Sequence, residues 1–355
     1  MQQESKPRIS NGARLLIAAQ AVDQGDAALG FFLRWIEELA KHYERIEVIA
    51  LKVGHYSLPK NVRVHSLGKE KGRPALGALT YGARLIAYAW HLRNEYDLVF
   101  VHQGQEHILG AGWLWKLLRK PIYMWRNHYQ GSFLTDIAAS FCTKVFCTSR
   151  VSYTAEYKHT VLMPVGLDVE RFSAHAHRVP NSVLYLARFA PSKKPHLLVE
   201  ALGLLNARGL ACTASFHGPT DPKDFSYRET VIARARELGL EECVTFEGGI
   251  QHEDAPHVFA SHEVYVNLMG GGAYDKTIFE AAASGCLVLA ASPDFADLTG
   301  TPALSEEPAV VAQRIEELFT MRESEKQERR QYLRHLVEEH DLPALAKRLA
   351  EEMRY

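Results

Sequence analysis

Residues 267–292, NLMGGGAYDKTIFEAAASGCLVLAAS, combine three glycines, a helical pattern and one well-placed carboxylate. Gly270, Gly271 and Gly272 follow an apolar run, and a helix is expected from Asp275, with Ile278, Ala281 and Ala282 on one face. Gly285 ends it, since glycine takes the left-handed conformation that closes many helices. A second apolar run, 287–290, follows at once. Strand, glycine loop, helix and strand form the unit in which a helix N-terminus and free backbone N–H groups face an anion. Glu280, about one and a half turns into the helix, is in reach of a sugar hydroxyl beside that anion. The bland alternative is a glycine-flanked helix of an ordinary α/β protein, with Glu280 solvated.

A second cluster is LYLARFAPSKKP, residues 184–195. Arg188 stands just past an apolar run and Lys193 at the head of the next helix. Two cations at a strand end beside a glycine-headed helix suit a diphosphate. Without that helix they read as surface charges on a loop. The seventeen histidines include an H-x-H at His175 and His177, but no carboxylate or cysteine lies close to it in the chain. There is no D-x-D pair, and Asp294 and Asp297 are spaced too widely to replace one. No metal site is expected.

These residues need a frame, and the apolar pattern supplies it. Buried-type strands are expected at 14–19, 46–51, 62–67, 98–102, 122–125 and 144–148, with helices near 29–42, 75–94 and 108–118 between them. After a break at Gly166, Leu167 and Asp168, strands recur at 183–187, 211–216, 244–246, 264–268 and 287–290. Helices near 195–207, 226–238 and 255–260 separate them. Strands this apolar, alternating with helices, predict parallel sheets covered on both faces. The expected class is α/β: two Rossmann-like doubly wound domains, residues 1–169 and 170–325, and a helical tail, 326–355. Leu342, Leu345, Leu349 and Met353 form an apolar stripe in that tail, suited to packing on its own domain or crossing back to the first.

Composition removes several function classes. The 355 residues hold 41 basic and 42 acidic side chains, so no cationic surplus calls for nucleic acid. Five scattered cysteines without a C-x-x-C pair fit a reducing compartment rather than a disulfide or zinc framework. The N-terminal residues lack the apolar core of a signal peptide, and no run reaches the ~20 apolar residues of a membrane span. A cytoplasmic protein is expected. Residues 69–93 mix Lys69, Lys71, Arg73, Arg84 and Arg93 with Leu76, Leu79, Tyr81, Leu85, Ile86 and Trp90. That helix has the means for peripheral contact with the inner face of a membrane. The same stripe also reads as core, with its basic residues on the wet side.

R-x-x-x-x-K at Arg188 and Lys193, the glycine loop, and E-A-x-A-x-G from Glu280 to Gly285 together resemble the retaining glycosyltransferases of family 4. V-G-L-D, ending at Asp168, resembles the N-G-[IV]-D that closes their first domain. The resemblance runs over nearly the whole chain and implies the GT-B architecture, two Rossmann-like domains facing each other across a cleft. It implies that Arg188 and Lys193 bind the donor's diphosphate, that Glu280 holds the ribose hydroxyls, and that His128 faces the transferred sugar. Gly270, Gly271 and Gly272, with the N–H groups of Asp275, Lys276 and Thr277, would line the sugar and phosphates. Base recognition falls on backbone near Gly249 and Ile250. The family's usual Gly-Gly near the first loop is replaced here by Gly25 and Gly30, and Gly30 is expected to face the ligand. His102 and Glu106 are weaker candidates for contact with the acceptor. One departure matters. The family's E-x7-E has its first glutamate where this chain has Gly272, and Asp275 is the nearby carboxylate.

The reaction so implied is transfer of a hexosyl unit, with retention, from a UDP- or GDP-sugar to a hydroxyl of a glycan, lipid-linked or small-molecule acceptor. It needs no cofactor and no metal. Gly272 keeps a second reading open, a non-catalytic nucleotide-sugar-binding partner subunit of the same fold.

Overall fold

The computed structural model describes every residue except 1–11, 27–28, 73–76, 174–175, 252, 271–274 and 355. The chain divides into two compact units, Met1–Gly166 with Leu342–Tyr355, and Leu167–Asp341.

The first unit is a seven-stranded parallel sheet. Its strands are β1 (Arg14–Val22), β2 (Arg45–Val53), β3 (Val62–Ser66), β4 (Leu98–His102), β5 (Ile122–Trp125), β6 (Lys144–Cys147) and β7 (Thr160–Leu162), in the order β3-β2-β1-β4-β5-β6-β7. The helices are α1 (Phe32–Ala40), α2 (Ala78–His91), α3 (Gln105–Leu117) and α4 (Phe133–Phe141). Residues alternate between the sheet's faces. Leu15, Ile17, Phe100 and Tyr123 therefore pack with α1, whereas Leu16, Ala18, Val99 and Met124 pack with α2, α3 and α4. Neither α4 nor β7 was expected from the sequence. β7 is a three-residue edge strand, too short for periodicity to register. α4 starts at a capping box on Ser132 and Thr135 rather than at a long apolar pattern. In residues 69–93 the core reading holds for Tyr81, Leu85, Ile86 and Tyr88, which pack on the sheet, but not for Leu79 and Trp90, which are exposed. Arg73 and Leu76 lie outside the described residues.

The second unit has a five-stranded parallel sheet of β8 (Val179–Leu186), β9 (Thr213–His217), β10 (Val244–Phe246), β11 (His262–Asn267) and β12 (Leu287–Ala290), in the order β10-β9-β8-β11-β12. Its helices are α5 (Val169–Phe172), α6 (Pro195–Ala207), α7 (Phe225–Glu237), α8 (Ala255–Ala260), α9 (Lys276–Ala283), α10 (Pro293–Thr299), α11 (Pro308–Thr320) and α12 (Glu323–Glu338). Val183, Tyr185, Phe216, Val264 and Leu287 anchor one core against α6 and α11. Strand order reverses between β8 and β11, and a crevice opens beyond the carboxyl ends of strands at such a point. The residues after those two strands begin the Arg188 loop and the glycine loop.

The last helix, α13 (Leu342–Glu352), belongs to the first unit. Its stripe of Leu342, Leu345, Leu349 and Met353 joins the core that holds Trp35 and Leu39 of α1, and Lys144 Nζ donates to Glu352 Oε2 at 2.9 Å. Residues 326–341 of the expected tail lie in the second unit. No helix among the described residues is long and apolar enough to cross a membrane.

Candidate functional site

The carboxyl end of the second unit's sheet gathers charge around the head of α9. Asp275 is its N-cap: Oδ1 accepts from Thr277 N at 3.2 Å and from Thr277 Oγ1 at 2.8 Å, and Oδ2 accepts from Asn267 Nδ2 at 3.1 Å. Asn267, the last residue of β11, also receives the N–H of Met269 on Oδ1 at 3.0 Å. Tyr265 Oη lies 2.6 Å from Thr277 Oγ1. This network fixes where the glycine loop leaves the sheet and where the helix begins. It also occupies Asp275, whose two oxygens are both engaged locally.

Lys193 ends the 3-10 turn Pro191–Lys193, and its half-buried ammonium lies against the thioether of Met269. Burial pushes its pKa down; Asp275 opposes this and Arg188 adds to it, so the three charges share one neighbourhood. Among the described residues Lys193 has no carboxylate within ion-pair distance. A cation taken partly out of water and given only a sulfur, a weak acceptor, is short of an anion. Arg188 is exposed and lies 3.6 Å from Asp221 Oδ2. Lys194, which follows Lys193, pairs with Glu306, and Glu306 Oε1 lies 2.8 Å from where a Cβ on Gly270 would stand.

Glu280 sits on the second turn of α9 and is 6% exposed. Burial pushes its carboxyl up to about 7; Lys276, one turn earlier, pulls it down and Asp275 pushes it further up. Lys276 is itself lowered by burial, against the attraction of Glu280 and Asp168. Burial therefore outweighs the mutual attraction of this pair for both members. No side-chain hydrogen bond reaches the Glu280 carboxylate among the described residues, so it is a buried acceptor awaiting donors.

The β9 and β10 loops close the other side. Gly218 N donates to Gly248 O at 3.1 Å, and Pro219 packs beside Gly249. A Cβ on Gly218 would fall on the carbonyl oxygen of Ala187, so only glycine lets β9 end this close to the residue before Arg188. Gly249 is exposed and Ile250 half-buried.

The structure thus brings together Arg188, Lys193, Gly270, Asp275, Lys276, Thr277 and Glu280. Gly271, Gly272, and His175 of the H-x-H lie outside the described residues. Among the described residues no three His, Cys, Asp or Glu side chains are grouped to hold a metal ion. Sequence reasoning missed Asn267, Asp221, Glu306 and the Asp168–Arg171 neighbourhood of Lys276. An asparagine ending a strand just before three glycines was a readable signal; the others are long-range and left none.

In the first unit, His128 lies in the loop after β5 and is exposed. Its Nδ1 is 3.0 Å from the N–H and 3.2 Å from the carbonyl of Gln130, and its ring stacks on Tyr129. The turn therefore orients the ring, and among the described residues no hydrogen bond reaches Nε2. His102, at the end of β4, is 2% exposed and stacked on Phe32 with ring centroids 3.9 Å apart, with Phe31 and Trp35 edge-on. That is a packed histidine, closed to solvent. Glu106 is exposed on the first turn of α3. The space that a Cβ on Gly30 would need is filled by the carbonyl oxygens of Asp26 and Gln24, at 2.8 and 2.9 Å.

Residues 180–321 match the family model described as Glycosyl transferases group 1. A curated relative, mannosylfructose-phosphate synthase of Agrobacterium fabrum, is 27% identical over 167 residues, 41% of this chain and 36% of that protein. The chain thus spans about a third of the length of this relative. The crystal structure of Anabaena HepE in complex with UDP and glucose aligns with a TM-score of 0.73 at 19% identity, covering 96% of this chain and 98% of that one. An E. coli structure described as trehalose-6-phosphate bound with UDP-2-fluoro glucose gives 0.74 at 11% identity, covering 96% and 99%. The fold of the chain is that of the GT-B glycosyltransferases.

Proposed function

We propose that the chain is a retaining glycosyltransferase of the family 4 type, which moves a hexosyl unit from a nucleotide-diphosphate sugar to an acceptor hydroxyl. The observation that carries this reading is Lys193, a half-buried cation with no carboxylate at ion-pair distance among the described residues, set at the strand-order switch point beside the capped head of α9. A diphosphate there would receive Lys193 and Arg188 at the helix N-terminus, where the dipole also favours negative charge. Glu280 would accept from the ribose hydroxyls, and backbone at Gly249 and Ile250 would meet the base. The first donor glutamate is absent at Gly272, and Asp275 is tied into its cap. The resemblance gives contact with the transferred sugar to His128, whose ring is oriented by its own turn.

In the reaction the bond from the sugar's anomeric carbon to the diphosphate oxygen breaks, and the acceptor oxygen bonds to that carbon on the same face. The acceptor's proton passes to the leaving phosphate oxygen. No carboxylate nucleophile is required, unlike a retaining glycosidase with its carboxylate pair. Charge grows on the leaving phosphate in the transition state, where a pre-placed cation acts most strongly. A metal ion is not needed in this scheme. The UDP complexes of the structural neighbours support a uridine donor ahead of a guanosine one.

Losing one such donor costs about 3 to 4 kcal/mol in comparable sites. Arg188→Ala and Lys193→Ala are expected to lower transfer from UDP-glucose or GDP-mannose at least about a hundredfold while melting behaviour stays near wild type. Unchanged turnover in both variants would strip the two residues of these roles. Donor binding without transfer or hydrolysis across the donor panel would favour the non-catalytic subunit instead.

A further inference from the structure

Helices α2, α3 and α4 form one layer on a face of the first unit's sheet, with α3 between the other two: Gly110 of α3 sits against Leu85 of α2, and Gly112 against Phe141 of α4. The inward residues of this layer, among them Leu85, Ala89, Ile108, Ala111, Trp115 and Ala138, build the core. An outward face on a water-soluble layer is ordinarily polar. Here it is not. Leu79 is 72% exposed on α2, Trp113 and Leu117 are 51% and 71% exposed on α3, and Phe133 is 74% exposed on α4, with Trp90 and Leu134 exposed beside them. Trp113 and Leu117 stand one turn apart and so share a stripe.

The charges on this face are mostly basic. The three helices hold two acidic residues, and Asp136 is turned to the hydroxyls of Tyr153 and Tyr157, leaving Glu106 at the first turn of α3. Lys116 and Arg119 are exposed at the end of α3, and Arg93 follows α2 with its guanidinium 4.4 Å from the centre of the Trp90 ring. None of these three cations has an ion-pair partner among the described residues. By contrast α12, of similar length to α2, carries Glu323, Glu325, Glu328 and Glu338 among its basic residues. The indole N–H of Trp113 donates to Gly110 O at 2.9 Å, so this ring leaves water without stranding a donor.

We propose that the outer face of the α2–α3–α4 layer docks the protein on an anionic phospholipid surface. Tryptophan, leucine and phenylalanine would enter the boundary between headgroups and acyl chains, with the cations at the phosphates. A second copy of the chain fits less well. A two-fold pairing would set Arg93, Lys116 and Arg119 against their own counterparts with almost no acid to offset them. Phe133 and Leu134 follow His128 by five and six residues. Where the transfer reading holds, docking would present that loop to a lipid-borne acceptor; the docking itself does not depend on that reading.

The test is co-sedimentation of the full chain, without donor, with vesicles of phosphatidylcholine alone and of phosphatidylcholine containing one third phosphatidylglycerol. Binding is expected to the anionic vesicles, weakening with added salt, and to fall about tenfold in the Trp113→Glu/Leu117→Glu variant. Lys116→Glu/Arg119→Glu should remove the preference for anionic lipid. All these sites are exposed, and circular dichroism melting checks that the variants fold. Absence of wild-type binding to anionic vesicles, or undiminished binding by both variants, overturns the proposal. So does concentration-dependent self-association that the Trp113→Glu/Leu117→Glu variant abolishes while vesicles recruit nothing.

Discussion

Glu280→Gln separates what the candidate site does for stability from what it does for binding. The Glu280 carboxyl is buried and raised from the ordinary 4.5 to about 7. A carboxyl whose folded pKa lies above its unfolded value holds an extra proton in the folded state between those two values. Its cost is therefore nil below pH 4.5, grows as pH rises, and is complete above 7. Two and a half pH units at about 1.4 kcal/mol each is about 3 kcal/mol of destabilisation by the ionised carboxylate at pH 8. Glutamine keeps the shape without the charge. It is expected to raise the empty protein's melting temperature at pH 8 by roughly 6 to 12 °C, for about 2 to 4 °C per kcal/mol, and to have little effect at pH 4.5. Donor affinity should move the other way, because on the proposed reading ribose hydroxyls would donate to the ionised group. UDP-glucose has no phosphate titrating between pH 5 and 8, so wild-type affinity should fall toward pH 5, by up to about a hundredfold, as the carboxylate is protonated. The glutamine variant should lack this pH dependence. Thermal melts from pH 4.5 to 9, with and without UDP-glucose, read both effects. A glutamine variant no more stable than wild type at pH 8, with the same pH dependence of binding, would refute the argument.

Two further outcomes test the frame around the site. Glu263 is buried and accepts from Lys326 Nζ at 2.7 Å and from the backbone N–H of Asn181 at 2.6 Å, with Arg330 at 3.8 Å. Glu263→Ala takes the carboxylate from buried Lys326, while Arg330 keeps Glu323 at 2.7 Å, and should lower unfolding free energy by about 3 to 5 kcal/mol in urea melts; a loss under about 1 kcal/mol would mean water reaches Lys326. Gly218→Ala drives a Cβ onto the Ala187 carbonyl and should shift the start of the Arg188 loop. At about 1 to 3 kcal/mol of strain, UDP-glucose affinity should drop roughly ten- to a hundredfold; wild-type affinity would show that the loop absorbs the methyl.

Much of the fold was legible because parallel strands buried on both faces are written as unbroken apolar runs. The runs at 14–19, 98–102, 183–187 and 287–290 each became a strand. The places of Arg188 and Lys193 in the fold were legible because charge at strand ends stands out against such runs. His102 was misleading for the same reason. A histidine at a strand end looks like a ligand contact in one dimension, and its aromatic box is made by Phe31, Phe32 and Trp35 from a distant segment.

The sequence by itself determined the element types, the two-unit α/β plan and the residues at the strand ends, all of which depend on local pattern. Tertiary structure alone decided that Lys193 has no carboxylate at ion-pair distance among the described residues, that Asp275 is engaged by its helix cap, and that burial lifts Glu280 to about 7. It also decided that six large apolar side chains on three helices face outward. Solvation and partner geometry depend on what lies nearby in space, and residues far apart in the chain supply it.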